Sequence, residues 1–136
     1  MEKFVPDHQH LLVKGKMLNP PKTVEELNDW LTRLVKKVRM EVLHGPFSVR
    51  VDDVPGNEGI TGVVVLATSH SSIHVWDALE IAEFHFDLYS CTEFSSNEVR
   101  EHLNEFKLVE CEWMFVDRNE FKIKESGESK NFYAKN

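Results

Sequence analysis

Residues 62–76 read GVVVLATSHSSIHVW, and this stretch decides how the chain folds. The apolar run Gly62–Ala67 is typical of a buried β-strand. Ser72–Trp76 alternates apolar with polar side chains, as a strand with one covered face does. The alternation returns at Phe84–Cys91, with phenylalanine and leucine on one face and histidine, aspartate and tyrosine on the other. The centre of the chain therefore predicts several strands of a β-sheet.

Two helices are predicted on either side of these strands. Thr23–Glu26 and Ser95–Glu98 each read as a capping box, in which the first side chain accepts a hydrogen bond at the start of a helix. Apolar residues at helical spacing follow each box. They are Val24, Leu27, Trp30, Leu31, Leu34, Val35 and Val38 in the first helix, and Val99, Leu103 and Phe106 in the second.

Further strands are predicted at residues 8–14, 47–51 and 109–116, and residues 121–124 are a candidate partner for the last of them. This order of elements predicts an α+β fold, a two-layer α/β sandwich with a mostly antiparallel sheet and two helices on one face. Several strands carry apolar residues on both faces. We therefore expect a dimer in which two protomers pack sheet to sheet.

Length and composition restrict the class of protein. The 136 residues are expected to form a single domain at 1–124 and a polar tail at 125–136. A formal charge of −7 disfavours nucleic-acid binding, which needs a basic surface. The sequence shows neither a signal-peptide core nor an apolar run of membrane-spanning length, so no membrane is expected. Two cysteines are too few for a disulfide framework and favour the reducing cytoplasm.

A more specific pattern lies at the end of the first central strand. Ser-His-x-x-Ile-His-x-Trp runs from Ser69 to Trp76, Gly-Val-Val-Val precedes it, and Cys91 closes the next alternating run. This pattern resembles the self-processing site of the small bacterial-type S-adenosylmethionine decarboxylases. The resemblance implies a homodimeric enzyme of polyamine and spermidine biosynthesis. It also implies self-cleavage between Thr68 and Ser69, which would turn Ser69 into a covalent pyruvoyl cofactor that serves as electron sink for decarboxylation.

The resemblance assigns a role to each catalytic position. Ser69 would attack the carbonyl of Thr68, and His74 would take the α-proton during elimination. Thr61 stands where the family has a serine that steadies the cyclic intermediate. Cys91 would return a proton to the decarboxylated carbon.

Substrate binding is assigned in the same way. Trp76 matches the aromatic residue that stacks on the adenine ring of S-adenosylmethionine, and an aromatic face also suits the sulfonium. Asp77 or Glu80 would replace the carboxylate that binds the ribose hydroxyls. His70, next to the nucleophile, is placed among the substrate-binding residues.

The chain also departs from the family pattern, which leaves other functions open. Thr68 stands where the family has glutamate, and residues 51–55 stand where the family has a second adenine-stacking aromatic residue. One alternative is a pyruvoyl decarboxylase of another amino acid, ornithine or arginine. Another is an unprocessed, non-catalytic homologue that binds a ligand or an active partner subunit.

Each site residue also has an ordinary structural interpretation. Ser69 suits a turn at a strand end, and Cys91 suits a small buried apolar side chain. Cys111 is interpreted as structural. The histidines at positions 8, 10, 70, 74 and 85 raise the question of zinc. No ligand spacing typical of a zinc site supports it, so no metal is predicted.

Overall fold

The computed structural model describes residues 3–130, and in this part of the chain two helices pack on one antiparallel sheet of seven strands. The sheet order is β2-β3-β4-β5-β1-β6-β7. The strands are β1 Gln9–Met17, β2 Val42–Val51, β3 Gly59–Leu66, β4 Ser69–Trp76, β5 Ala82–Ser90, β6 Leu108–Asp117 and β7 Lys122–Lys130. The helices are α1 Val24–Lys37 and α2 Ser96–Leu103, and a 3-10 turn at Asn104–Phe106 follows α2. The predicted α+β sandwich is therefore confirmed.

Both helices begin where the capping boxes predict. The Thr23 hydroxyl accepts a hydrogen bond from the Glu26 backbone N–H at 3.0 Å, and Ser95 accepts one from Glu98 at 3.1 Å. Gly62 lies on β3 beneath α1, where an added Cβ would come within 2.9 Å of the Leu31 side chain. The missing side chain lets the helix approach the strands that carry the predicted site.

The two largest differences from the predicted boundaries lie at the edges of the sheet, whereas the central strands differ by up to three residues, as at β4, which starts at Ser69 rather than Ser72. β2 starts at Val42 and runs through Pro46, with register shifts on either side of His44. An edge strand tolerates a proline because one row of its backbone N–H groups has no partner strand. β7 continues to Lys130 along β6, so the prediction of a tail beginning at residue 125 is wrong for residues 125–130. Residues 131–136 of that predicted tail lie outside the described residues.

The helices cover one face of the sheet, and no described element covers the other. The helix-covered face carries the core, whereas the other face, called here the open face, leaves large apolar side chains in contact with solvent. Phe47 is 49% exposed, Val49 61% and Met114 42%. Such a surface fits the predicted sheet-to-sheet dimer, which stays a prediction. Among the described helices, none has the length and apolar character needed to cross a bilayer.

Trp30 joins the two helices to the sheet. Its indole N–H donates to the His102 carbonyl at 3.2 Å, and its ring lies 4.6 Å from the His102 ring and 4.9 Å from Phe106. Burial is the main cause of a lowered pKa for His102, whose ring also hydrogen-bonds the Trp30 carbonyl oxygen at 3.0 Å.

Replacing Trp30 with alanine is expected to lower the free energy of unfolding by about 3–5 kcal/mol, because it leaves a cavity where both helices meet the sheet. Urea unfolding followed by circular dichroism measures the loss. Trp30→Phe keeps a ring but loses the N–H donor, so it should cost less than half as much. Equal losses for the two variants would mean that the hydrogen bond, rather than ring packing, holds α1 to α2.

Candidate active site

The predicted cleavage point lies in the tight turn between β3 and β4. Leu66 pairs with Ser69, which leaves Ala67 and Thr68 as the two turn residues. Thr68 has φ 44°, in the left-handed region that a β-branched residue rarely enters. Backbone strain of this kind costs about 1–3 kcal/mol. The peptide bond between Thr68 and Ser69 therefore follows a residue that the surrounding sheet holds in an unfavourable conformation.

Cys91 meets this turn from the end of β5. Its backbone N–H donates to the Ser69 hydroxyl oxygen at 3.0 Å. The Thr68 hydroxyl donates to the Cys91 sulfur at 3.1 Å, and that thiol contacts the Ala67 carbonyl oxygen at 3.6 Å. The Cys91 side chain is buried and Ser69 is half-buried. We call these four residues, Ala67, Thr68, Ser69 and Cys91, the processing turn.

Thr61 and His74 form a second group on the open face. They are cross-strand neighbours on β3 and β4, and the Thr61 hydroxyl lies 2.9 Å from the His74 Nδ1 atom. This contact with the Thr61 hydroxyl fixes the orientation of the imidazole, and it leaves the Nε2 atom of His74 available for a proton transfer or a hydrogen bond. The two residues to which the resemblance assigns roles in cyclisation and elimination are thus in direct contact.

These two groups lie apart within one chain. Ser69 and His74 are both on β4, five residues apart. At about 3.3 Å per residue, their backbones are separated by roughly 16 Å. A single protomer therefore does not bring His74 to Ser69.

Three of the four predicted substrate-binding residues, Trp76, Asp77 and Glu80, lie at the end of β4 or in the loop that follows it. The Trp76 indole N–H donates to Asn57 at 2.8 Å, and a hollow of about 320 Å³ beside Trp76 is lined partly by Glu58, Glu83 and His85. Glu80 is exposed in the loop that follows.

Asp77 is already engaged by another side chain. Arg50 donates to both of its carboxylate oxygens, at 2.7 and 2.8 Å, and to Asp52 at 2.9 Å. The hydrogen bonds to Asp77 are the main cause of a raised pKa for Arg50, which keeps the guanidinium charged. Nothing in the sequence pattern indicated this pair, since it joins β2 to the loop after β4.

His70 lies on the open face rather than in the processing turn. Its Nε2 atom is 3.2 Å from the Asp87 carboxylate, and His10 approaches the same carboxylate oxygen at 2.8 Å. Partial burial raises the pKa of Asp87, but hydrogen bonds from His10 and Ser72 outweigh it and bring the pKa down to about 2. Sequence reasoning missed Asp87. The alternation of β5 put it on one face with His85 and Tyr89, but the pairing of β5 with β1 and with β4 was needed to find the contacts with His10 and His70.

Comparison with known proteins decides the family. The model of the family described as S-adenosylmethionine decarboxylase matches residues 9–119, well over half of the chain. The chain belongs to the S-adenosylmethionine decarboxylase family. The match begins at β1 and ends just after β6, so it includes every predicted site residue.

One curated relative and one solved structure are similar to this member of the S-adenosylmethionine decarboxylase family. The S-adenosylmethionine decarboxylase proenzyme of Thermodesulfovibrio yellowstonii is 33% identical over 92 residues, which cover 66% of this chain and 63% of that protein. The crystal structure of the adenosylmethionine decarboxylase from Aquifex aeolicus VF5 aligns with a TM-score of 0.64 at 22% identity. That alignment covers 82% of this chain and 90% of the other, and it shows that the two share a fold.

Proposed function

We propose that this chain is a pyruvoyl-dependent decarboxylase of S-adenosylmethionine that cleaves itself between Thr68 and Ser69. Its product would serve spermidine biosynthesis in the cytoplasm. One observation carries the proposal: Ser69, the strained Thr68 and the Cys91 thiol are in contact at a single turn. The family match and the name of the relative, a decarboxylase proenzyme, support the same reaction.

Self-cleavage uses atoms of the processing turn. The Ser69 hydroxyl oxygen attacks the Thr68 carbonyl carbon, the peptide C–N bond breaks, and an ester replaces the amide. Removal of the Ser69 α-proton then breaks the ester and releases Thr68 as a carboxylate. Water adds to the residue that remains, ammonia leaves, and the pyruvoyl group stays at the new N-terminus. Release of the strain at Thr68 favours the first step, and the N–H of Cys91 holds the attacking oxygen in place.

The residues around Ser69 fit a pyruvoyl group at this position. When formed, it supplies an electron-accepting carbonyl for loss of carbon dioxide. The Cys91 thiol is held by Thr68 and Ala67 at the residue that becomes the new N-terminus, where it can return a proton. Thr68 supplies a hydroxyl to this thiol in place of the glutamate of the family pattern.

The base for elimination has to come from a second protomer. His74 and Ser69 of one chain are about 16 Å apart. A two-fold dimer that buries the open faces presents the same surface from both sides, so each Thr61–His74 pair can face the processing turn of the other protomer. The exposed apolar residues of the open face, such as Phe47 and Val49, support this packing. The homodimer would then hold two composite sites.

Recognition of the substrate is proposed for the hollow beside Trp76. The indole offers a face for an adenine ring or a sulfonium. Because Arg50 occupies both oxygens of Asp77, Glu80 is the better candidate for the ribose hydroxyls. The carboxylates of Glu58 and Glu83 also line the hollow and would attract a positively charged ligand.

One feature of the sequence favours the alternative substrates. Residues 51–55, where the family has a second adenine-stacking aromatic residue, hold no aromatic side chain, and ornithine and arginine have no adenine ring to stack. The two carboxylates beside Trp76 suit the second cationic group of either amino acid as well as they suit a sulfonium. A decarboxylase of either amino acid would use the same processing turn and the same composite site. The two proposed functions therefore differ only in the ligand bound in the hollow beside Trp76, and they share the self-cleavage and decarboxylation at Ser69.

The test is intact-mass analysis of the purified protein after prolonged incubation. We expect fragments 1–68 and 69–136, with the second lighter, by the mass of ammonia, than a peptide that begins with serine. Release of carbon dioxide from S-adenosylmethionine, ornithine or arginine then identifies the substrate. A chain that stays intact would refute the proposal and favour the non-catalytic homologue.

A further inference from the structure

Three side chains from three adjacent strands converge on the open face. His10 comes from β1, His70 from β4 and Asp87 from β5, and one potential ligand atom of each lies within 4.8 Å of the other two. The Asp87 Oδ2 atom is 2.8 Å from the His10 Nε2 atom and 3.2 Å from the His70 Nε2 atom. We call these three residues the His-His-Asp cluster.

This geometry is close to that of a metal site. Zinc binds imidazole nitrogen at about 2.0–2.1 Å and carboxylate oxygen at about 2.0–2.2 Å, which puts tetrahedral ligand atoms about 3.3 Å apart. The two distances from the Asp87 oxygen, 2.8 and 3.2 Å, are within about half an ångström of that value. Two histidines and one carboxylate are also a ligand set that leaves a coordination position open.

The surrounding residues hold the ligands in place. The Ser72 hydroxyl donates to the second oxygen of Asp87, which leaves Oδ2 directed at the two histidines. The Tyr89 ring stacks on His70 at 5.8 Å and meets the His10 ring edge-on at 5.5 Å. Ligands fixed by neighbouring contacts of this kind lose less freedom when a metal binds.

Arg118 opposes metal binding on the far side of His10. Its guanidinium donates to the His10 Nδ1 atom at 2.9 Å. Because that nitrogen accepts, the Nε2 atom of a neutral His10 carries the proton and donates it to Asp87. A metal at Nε2 needs this proton to move to Nδ1, which requires the exposed Arg118 side chain to move away.

We propose that the His-His-Asp cluster binds a divalent cation of the zinc type and that Arg118 competes with it. The cation replaces the two protons directed at the Asp87 oxygen. It links β4, β5 and β1, the three strands at the centre of the sheet, and so stabilises the open face. This inference depends neither on cleavage at Ser69 nor on the substrate.

The test is titration of metal-free protein with zinc, followed by calorimetry and thermal melting. One equivalent per chain is expected to bind and to raise Tm by several degrees. Asp87→Asn and His10→Asn should each weaken binding at least tenfold. His44→Asn is the matched control, because His44 is an exposed histidine on β2 outside the cluster, and it should bind zinc as the parent does.

A variant at Arg118 separates a metal site from a simple hydrogen-bond network. Arg118→Gln removes the guanidinium and offers an oxygen to the protonated Nδ1 of His10, so zinc should bind several-fold more tightly. Cobalt in place of zinc should give visible absorption bands that Asp87→Asn abolishes. The absence of stoichiometric binding, or unchanged binding in Asp87→Asn, would overturn the proposal. If Asp87→Asn does not fold, unchanged or weaker binding in Arg118→Gln overturns it instead.

Discussion

Ser69→Ala is expected to abolish self-cleavage completely and to leave a folded, full-length chain. The variant has no hydroxyl to attack the Thr68 carbonyl, and no other hydroxyl replaces it at that carbon. The folding cost is small, because Ser69 is half-buried and accepts one hydrogen bond, from the Cys91 N–H. Losing that contact costs about 1 kcal/mol. Intact mass after long incubation measures cleavage, and thermal melting measures the fold.

Ser71→Ala is the matched control for this experiment. Ser71 lies two residues further along β4, is buried, and donates a hydrogen bond to the Asp87 carbonyl at 2.8 Å. The variant makes the same chemical change on the same strand but leaves the nucleophile in place, so cleavage should continue. Cleavage that persists in Ser69→Ala would place the scissile bond elsewhere. Loss of folding in Ser69→Ala alone would show that Ser69 serves packing.

Co-expression of Ser69→Ala with His74→Ala is expected to restore cleavage that neither variant shows alone. In a mixed dimer, the Ser69 of the His74→Ala chain faces the intact His74 of the other chain, which completes one of the two sites. With random pairing, half of the His74→Ala chains are in mixed dimers, so up to about half of them should be cleaved. Tags of different mass identify which chain breaks.

The result depends on dimers that mix, so light scattering and a pull-down through one tag accompany the mass analysis. His74→Asn removes the base but keeps the shape of the side chain, and it should behave as His74→Ala does. Cleavage of His74→Ala by itself would remove the base role from His74. Mixed dimers without any cleavage would contradict a site shared between protomers.

Local sequence signals predicted the elements that set the fold. The capping boxes gave the starts of α1 and α2, because a side chain that satisfies the first free N–H groups acts within one turn. The alternation of apolar and polar residues in β4 and β5 predicted which face of each strand is buried, because successive side chains of a strand point to opposite faces of the sheet. The edges were harder to predict. β2 runs through Pro46, and β7 is almost wholly polar, so neither carries the pattern of a covered strand.

The candidate site divides in the same way. The sequence placed Ser69, His74 and Cys91 near one another along two strands, and the resemblance gave each a role that remains a prediction. The pairing of β4 with β5 then brought Cys91 to the turn, because the two strands run antiparallel in register. The same extended backbone moved His74 away from Ser69, since a strand separates residues that are close in sequence.

By itself, the sequence determined the helix starts, the buried faces of the central strands and the membership of the family. These features depend on hydrogen bonds between a side chain and the backbone a few residues away, or on the pattern of side chains within one strand. Only the tertiary structure decided that Arg50 engages Asp77 and that Asp87 joins His10 to His70. Each of these contacts joins residues from different strands or loops, and the order of strands in the sheet, rather than their order in the chain, brings them together.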